Sequence, residues 1–377
     1  MSRPTLASLA MELGVSRQTI SNVLNAPHRV KPATRDRVKA AIDAAGYKPS
    51  AAARQLRTNR SMTFGMRLVP VTDGINGSIL DRFLHAVTES AQAEGYRLTL
   101  FCADSQEDEV RQYEQLLDIA GLDAFILTDS SRNDIRTRWL EERGTPFAVF
   151  GRPWEDRSVP SSAYPWIDVD GAAGTAEAVA MMASKGHSAI GFLGSSGGGP
   201  VNDDRREGWE RAMRASGLAK HAADLSVAAP DTVAGGISGG GRLAARGATA
   251  IVCSSDSLAI GALDSLRKLY PGLTLPGAGA AAPRAAVVGF DDTPVAAALG
   301  LSSVAQPVEE AGRHIVRLLM NELADRSLES GPPEKHLLLT PSIVERVPLV
   351  NEGAADYGRP RNLERLDQKQ GGLHPAD

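Results

Sequence analysis

Several polar residues stand at the start of a short segment that directly follows Gly14-Val15-Ser16. They are Arg17, Gln18, Ser21 and Asn22. An arginine can pair bidentately with guanine, and a glutamine or asparagine with adenine, at about 1–3 kcal/mol of discrimination per pair. Residues of these types on one helix face point to the reading of base edges. The same pattern also fits polar residues that are simply solvated on a surface helix.

Three short helices are predicted around these residues. Apolar residues recur at helical spacing over residues 6–13, Thr5 is available as N-cap, and Gly14 ends the segment. Ser16 can cap a second helix, and a third is expected over residues 32–46. Two short helices joined by a tight glycine-containing turn, with a third completing the core, form a helix-turn-helix. That arrangement places its second helix in the major groove of DNA.

The charge is divided unevenly along the 377 residues. Residues 1–60 carry 11 Lys/Arg and 3 Asp/Glu, a balance of +8, whereas the remaining residues have a balance of −12. A basic head on an acidic body is expected when only one part of a protein meets a polyanion. Apolar residues at 42% and charged residues at 23% argue against a mostly disordered chain. No apolar stretch approaches about 18 residues, so neither a membrane segment nor export is expected.

Residues 5–66 resemble the N-terminal module of the lactose-repressor/galactose-repressor (LacI/GalR) family of bacterial transcription regulators. The matching motifs are Leu-x-x-Leu-Ala, Gly-Val-Ser-x-x-Thr-Ile-Ser-x-Val-Leu-Asn, Thr-Arg-x-x-Val and Gly-Tyr-x-Pro, in that order. Ser8 and Lys31 depart from the family pattern, and each is expected to weaken a helix cap by about 1 kcal/mol at most. The resemblance implies that the head and the following linker contact operator DNA. The contacting residues are expected to be Thr5, Ser16, Arg17, Gln18, Thr19, Ser21, Asn22, Asn25, Arg54, Leu56 and Arg57.

Residues 49–57 predict a helix too short to be stable alone in water. The resemblance identifies it as a hinge helix that folds on operator DNA, pairs with its counterpart in a dimer and wedges Leu56 into the minor groove. Leu56 is alternatively a linker residue that packs on the body. Arg54, Arg57 and Arg60 are expected to contact phosphates rather than bases.

The acidic body alternates short apolar runs with amphipathic helices. The strand candidates are 64–71, 97–102, 124–128, 147–150, 189–193, 250–253 and 285–290, and the helix candidates are 79–94, 109–120, 175–185, 206–216 and 258–270. Alternation of this kind predicts an α/β fold with parallel sheets, and the number of units suggests two sheets. Ligands of such folds bind beyond the carboxyl ends of the strands.

The body resembles the two-lobed, periplasmic-binding-protein-like effector domains of the same family. The matching motifs are Arg-x-x-Gly-Trp at 205–209, Asp-x-Leu-Ala-Ile-Gly-Ala-Leu at 256–263, Val-Val-Gly-Phe-Asp-Asp at 287–292 and Ser-Ser-Val-x-Gln-Pro at 302–307. The resemblance implies a small carbohydrate effector. Arg205 would clamp its hydroxyls, Asp291 would accept from them, and Ser255 and Gln306 would line the same cleft. Such groups suit vicinal hydroxyls because they make bidentate hydrogen bonds.

Four further residues have two interpretations each. Trp154 and Trp166 could supply an aromatic face for a sugar or pack at the edge of a lobe. Arg152, at the end of an apolar strand, either faces the cleft or pairs with a carboxylate. Asp73, after the first strand, is a cleft candidate for the same reason.

An enzyme is not expected, although residues 194–198 match the G-x-S-x-G nucleophile-elbow pattern. An elbow requires a helix directly after the serine, and the following glycines delay the predicted helix to about Arg205. Cys102 and Cys253 lie in apolar runs and are expected to be buried thiols in a reducing cytoplasm. They are too few for a structural zinc site, and no cofactor or metal is expected.

The sequence therefore predicts a helix-turn-helix domain at 1–47, a hinge helix and linker at 48–60, a two-lobed effector and dimerisation domain at 61–345, and a disordered tail at 346–377. The expected protein is a cytoplasmic homodimer that binds near-palindromic operator DNA and represses carbohydrate-utilisation genes under allosteric control. A periplasmic solute-binding protein would share the lobes but lack the basic head. An activator with the same head is the second alternative.

Overall fold

The computed structural model describes residues 4–47, 60–69, 75, 77–154, 164–222, 224–269, 286–324 and 335–346. The head contains α1 (Leu6–Leu13), α2 (Arg17–Asn25), a 3₁₀ turn at Pro27–Arg29 and α3 (Pro32–Ala45). Leu9, Ile20 and Val38, one from each helix, are at most 1% exposed and form the centre of a separate small core. The three-helix prediction is confirmed.

Both departures from the family pattern fall at helix caps. Thr5 and Ser8 form a reciprocal capping box, since the Thr5 amide donates to Ser8 Oγ at 2.9 Å and the Ser8 amide donates to Thr5 Oγ1 at 3.1 Å. Ser8 thus completes the cap, because its hydroxyl accepts the N-cap amide hydrogen bond. Lys31 makes no side-chain capping bond, and α3 starts on Pro32, whose missing N–H needs no partner there.

The body has two lobes, each built on a six-stranded sheet. The N-lobe (60–169 and 308–339) contains β1 (Thr63–Arg67), α4 (Gly77–Ala93), β2 (Arg97–Phe101), α5 (Gln106–Ala120), β3 (Ala124–Leu127), α6 (Ile135–Glu142), β4 (Phe147–Phe150), β5 (Trp166–Val169), α12 (Val308–Leu323) and β11 (His336–Leu339). Its strand order is β11-β5-β4-β3-β1-β2, and every pairing is parallel.

The C-lobe (171–305 and 341–346) repeats this topology. It contains α7 (Gly171–Ser184), β6 (Ile190–Ser195), α8 (Pro200–Ala215), a 3₁₀ turn at Ala219–His221, β7 (Ser226–Ala229), α9 (Val233–Ala245), β8 (Ala250–Cys253), α10 (Asp256–Leu269), β9 (Ala286–Phe290), α11 (Pro294–Ala298), β10 (Ser302–Ala305) and β12 (Ser342–Val344). The order is β12-β10-β9-β8-β6-β7, and only the β10–β12 pair is antiparallel. In each sheet the order reverses between the first and third strands, where such folds bind ligands.

Three crossings join the lobes: from β5 to α7, from β10 to α12, and from β11 to β12. The middle crossing sends α12 back to pack on α4, β4 and β5 of the N-lobe. Strands that end on the facing sides of two lobes joined by short crossings form a cleft with a hinge. The α/β prediction with two parallel sheets is thus confirmed.

The structure corrects three local expectations. Helix α8 begins at Pro200 rather than near Arg205, because a proline suits the first turn of a helix. Helix α9 was not predicted, because five of its 13 residues are glycine, which disfavours a helix. Cys253 is buried as expected, but Cys102 is exposed, because the edge strand β2 ends at Phe101.

Candidate functional site

Helix α2 presents the polar residues of the head in an ordered arrangement. Ser16 caps the helix by accepting the Thr19 amide at 3.0 Å. Gln18 lies exposed and donates from Nε2 to Asn22 Oδ1 at 3.0 Å, and Arg17 is exposed beside it. A cap of this kind fixes the first turn, so the side chains that would meet base edges start from a defined position.

The other residues predicted to contact DNA lie at helix caps, on the partly buried side of α2, or outside the described residues. Thr5 caps α1, and Ser21 is half-buried on α2. Arg54, Leu56, Arg57 and the side chain of Asn25 lie outside the described residues.

The chain that enters the body is fixed to the N-lobe. Asp123 accepts the Ser61 and Met62 amides at 2.7 and 3.0 Å. Arg60 donates to the Leu323 carbonyl at the end of α12 and to Tyr96 Oη at 3.4 Å. The C-terminus of a helix attracts cations, which explains why Arg60 binds there. Arg60 was predicted to contact a DNA phosphate, and in the structure it contacts the protein instead.

Arg205 lies on α8 at the facing side of the C-lobe. Four residues further on, Trp209 is 1% exposed and donates to the Ile190 carbonyl at 3.1 Å, which locks α8 onto the sheet. Gly208 permits the close packing of α8 on α7, because a Cβ there would lie 2.2 Å from the Ala172 carbonyl oxygen. The Arg-x-x-Gly-Trp motif therefore holds Arg205 in place.

The Arg205 guanidinium is held by a ring contact and a hydrogen bond. Its Cζ lies 3.7 Å from the centre of the Phe290 ring, and Nη1 donates to the Ser254 carbonyl. Burial lowers its pKa, and the nearby Asp291 and Asp231 carboxylates act in the opposite direction. Nε is buried and has no hydrogen-bond partner among the described residues. A donor in that position is suited to a ligand oxygen.

Asp291 follows β9 and faces Arg205. Gln306 donates from Nε2 to Asp291 Oδ1 at 2.6 Å, so two predicted cleft residues touch. Burial raises the pKa of Asp291 to about 7, with Arg205 opposing the rise. Its φ of +112° and the φ of +51° at Asp292 are unusual for residues with a Cβ, and backbone strain of this kind clusters at ligand sites.

Two aspartates that the sequence reasoning missed support this loop and its neighbour. Asp256 accepts from Ser303 Oγ and from the Thr293 amide, each at 2.7 Å, and burial raises its pKa to about 6. Asp231 accepts from Ser255 Oγ. Asp256 is the first residue of a quoted motif, and that position was a signal that could have found it. Asp231 lies in the stretch 230–232, where relatives often place an aromatic residue, but nothing in the sequence marked its carboxylate.

Arg152 bridges the two lobes at the back of the cleft. Its Nη2 donates to Asp204 Oδ2 of the C-lobe at 2.7 Å, and its Nε lies 3.0 Å from Asp168 Oδ2 of the N-lobe. Asp204 Oδ2 also accepts the Ala172 amide at 2.9 Å. The three charged side chains are only 10–18% exposed. Of the two interpretations given for Arg152, the geometry shows the carboxylate pairing.

The tryptophans occupy different ends of the N-lobe. Trp154 stacks on Arg152, with Cζ 4.6 Å from the ring centre, and donates to Ser130 Oγ at 2.9 Å. Trp166 is the first residue of β5 and stacks on His336 with ring centres 5.0 Å apart. The N-terminal end of a parallel strand lies opposite the cleft, so Trp166 is not brought to Arg205. Asp73 lies outside the described residues.

The serine loop that resembled a nucleophile elbow is a turn in the C-lobe. Ser195 Oγ accepts the Gly197 amide at 3.2 Å, and α8 begins only at Pro200. In the part of the chain that the structure describes, no helix has the length and apolar character needed to cross a membrane.

A helix-turn-helix head followed by two hinged α/β lobes with a polar cleft defines a ligand-responsive DNA-binding protein. Residues 5–50 match the family model of bacterial regulatory proteins of the lacI family, and residues 179–347 match that of the periplasmic binding protein-like domain. The chain is 30% identical over 338 residues to the HTH-type transcriptional regulator CelR of Thermobifida fusca, covering 87% of this chain and 94% of that protein.

Solved structures agree with these matches. A regulatory protein of the LacI family from Chloroflexus aggregans superposes with a TM-score of 0.67 at 31% identity, covering 76% of this chain and 98% of that one. The transcriptional regulator CelR–cellobiose complex has a TM-score of 0.63 at 27% identity, covering 92% of this chain and all of that one. The chain belongs to the LacI family of DNA-binding transcriptional regulators, a family of regulators rather than enzymes.

Proposed function

We propose that this protein is a repressor of carbohydrate-utilisation genes whose affinity for operator DNA is set by a small sugar in the cleft between the lobes. The observation that carries the proposal is the Arg205 cluster. An unpartnered guanidinium nitrogen, the Asp291 carboxylate and the Gln306 amide lie together at the carboxyl ends of the C-lobe strands. Donors and acceptors so arranged suit neighbouring hydroxyl groups. CelR, of similar fold, is complexed with cellobiose.

The DNA half of the proposal rests on α2 and the linker. We propose direct base contacts from Arg17, Gln18 and Asn22. Supporting contacts would come from Thr5, Ser16, Thr19, Ser21, Asn25, Arg54 and Arg57, and Leu56 would enter the minor groove. The capped and exposed start of α2 supports the first assignment. A near-palindromic operator and a homodimer follow, because two symmetric recognition helices read two half-sites.

The effector half assigns direct contacts to Arg205, Asp291, Ser255 and Gln306, and leaves Asp73 as a candidate from the N-lobe. Arg152 acts through its ion pairs between the lobes rather than by touching the effector. Trp166 is left out of the proposed effector site because it lies at the end of its strand away from the cleft. A regulator of chromosomal genes works in the cytoplasm, and we propose that location. The domain limits proposed are 1–47, 48–60, 61–345 and 346–377.

The test has two stages. The operator is first selected from a randomised DNA pool, and a panel of sugars is then screened for a rise in melting temperature, since a ligand that binds only the folded state raises it. The operator Kd with and without the stabilising sugar should differ about 5-fold to 150-fold. Arg205→Ala should abolish sugar binding in calorimetry, whereas Arg206→Ala, an exposed neighbour paired with Glu210, should not. Equal sugar affinity in the two variants would refute the assignment.

A further inference from the structure

Carboxylates pair with one guanidinium group at the cleft, that of Arg152, and lie near the other, that of Arg205. Arg152 is paired with Asp168 and Asp204 at 3.0 and 2.7 Å. Arg205 stacks on Phe290, the residue before Asp291, and the Asp291 and Asp231 carboxylates influence its charge more strongly than the other nearby carboxylates do. Among the described residues, four carboxylates therefore face two cations at this point. The positive charges at this point are therefore already balanced. An anionic effector would find no excess positive charge to bind, so the balance favours an uncharged effector.

The neighbouring cations are also paired. Arg82 on α4 is close enough to act on Asp291 and Asp292, but it makes a bidentate pair with Glu309 at 2.6 and 2.9 Å. On the C-lobe side, Arg346 lies 2.6 Å from Asp292. Each of these two guanidinium groups therefore already has a carboxylate partner that balances its charge.

We infer that the cleft takes an uncharged saccharide and discriminates against phosphorylated and carboxylated sugars. The inference rests on the proposed function and narrows it to one chemical class. A hydroxyl group both donates and accepts, so one sugar can accept from Arg205 Nε and donate to Asp291. A phosphate or carboxylate group only accepts. It would satisfy Nε but leave the aspartates without donors and facing a like charge.

The burial of Asp291 agrees with this assignment. Its pKa is raised to about 7, which is the response of a carboxylate in a desolvated site where other aspartates lie nearby. A second negative charge in the same place would be opposed by the same surroundings. Neutral hydroxyl donors would instead stabilise the ionised carboxylate.

The first arm of the test uses inorganic phosphate and needs no knowledge of the effector. At constant ionic strength, phosphate up to about 20 mM should give no saturable rise in the melting temperature of the wild-type protein over chloride. A saturable rise that Arg205→Ala removes would overturn the inference. Asp231→Asn removes one charge but keeps an oxygen that can accept from Ser255, and it should weaken the discrimination. Asp224→Asn, an exposed change of equal charge before β7, should not.

The second arm compares each neutral sugar of a panel with its 6-phosphate and its uronate by calorimetry. The charged partners should bind at least about 100-fold more weakly than the neutral sugar. A phosphorylated sugar that binds as tightly and changes operator affinity would overturn the inference while leaving the proposed function intact. If no sugar of either kind binds, the proposed function fails, and the phosphate arm still decides whether the cleft accepts anions.

Discussion

Removal of the Arg152 side-chain charge should destabilise the body strongly and in a pH-dependent way. In Arg152→Met the Asp168 and Asp204 carboxylates, 12% and 10% exposed, lose their shared cation. Breaking a buried ion pair from one side costs about 3–5 kcal/mol, because an uncompensated charge stays buried. We therefore expect a loss of about 3 kcal/mol in the free energy of unfolding at pH 8.

The pH dependence follows from Asp168. Burial raises its pKa to about 6, and Arg152 is the strongest influence opposing that rise. Without Arg152 the folded-state pKa should rise further, so the ionised carboxylate is most destabilising above that value. The penalty is relieved as the pH falls and the group takes up a proton. The destabilisation caused by Arg152→Met should therefore be largest at pH 8 and smaller at pH 5.

Urea unfolding of wild type and variant at pH 5, 6, 7 and 8, followed by circular dichroism, measures this effect. Arg143→Met is the matched control. Arg143 also pairs with a carboxylate and stacks on a tryptophan, at 2.9 and 4.3 Å, but the pair is 48% and 53% exposed. An exposed pair contributes about 0–1 kcal/mol. If Arg152→Met costs no more than the control, or costs the same at every pH, the bridge does not hold the lobes as described.

Three further outcomes are expected. Because the pKa of Asp291 is raised to about 7 and the ionised carboxylate accepts from sugar hydroxyls more strongly than the protonated acid does, sugar affinity should fall, by up to about tenfold, from pH 8 to pH 6. In Asp291→Asn, the pH dependence of the sugar affinity should disappear in calorimetry. Because the ionised Asp291 destabilises the folded protein above its pKa, the same variant should raise the melting temperature more at pH 8 than at pH 5. Gly236→Ala would place Cβ 2.3 Å from a backbone oxygen and should cost about 1–3 kcal/mol in urea unfolding, whereas Gly241→Ala, 3.2 Å from a serine hydroxyl, should be near neutral. Arg60→Gln should leave the salt dependence of operator binding unchanged. Arg57→Gln, at a predicted phosphate contact, should reduce the slope of log K against log salt concentration by about one in magnitude. A reduced slope for Arg60→Gln would restore the assignment of Arg60 to DNA.

The architecture could be predicted from the sequence because its signals are local. Helix caps such as Ser16 and the alternation of strands with helices depend on neighbours in the chain. The helix α9 depends on a distant partner instead. Glycine lowers helix propensity by about 1 kcal/mol per residue, yet a Cβ at Gly240 would lie 2.7 Å from the Ala262 Cα of α10. The glycines allow α9 to pack closely on α10, and this contact cannot be predicted from the sequence of α9 alone.

Arg205, Asp291 and Gln306 could be proposed for the cleft from the sequence because they stand in motifs. Gln306 and Asp291, 15 residues apart in the chain, touch as the motifs implied. Asp204 and Asp231 stood out in no motif, since their roles arise only when the lobes and loops meet. Trp166 illustrates the converse error. Its residue type suits a sugar, but its place at the start of β5 puts it at the far end of the strand.

The central claim is that a sugar held by Arg205 changes the affinity of the head for DNA. The most direct test is the fluorescence anisotropy of the selected operator, titrated with protein at fixed salt, with and without the sugar that stabilises the protein. A change in Kd of about 5-fold to 150-fold in the wild type, absent in Arg205→Ala and retained in Arg206→Ala, is predicted. An operator Kd that the bound sugar leaves unchanged in the wild type would contradict the claim.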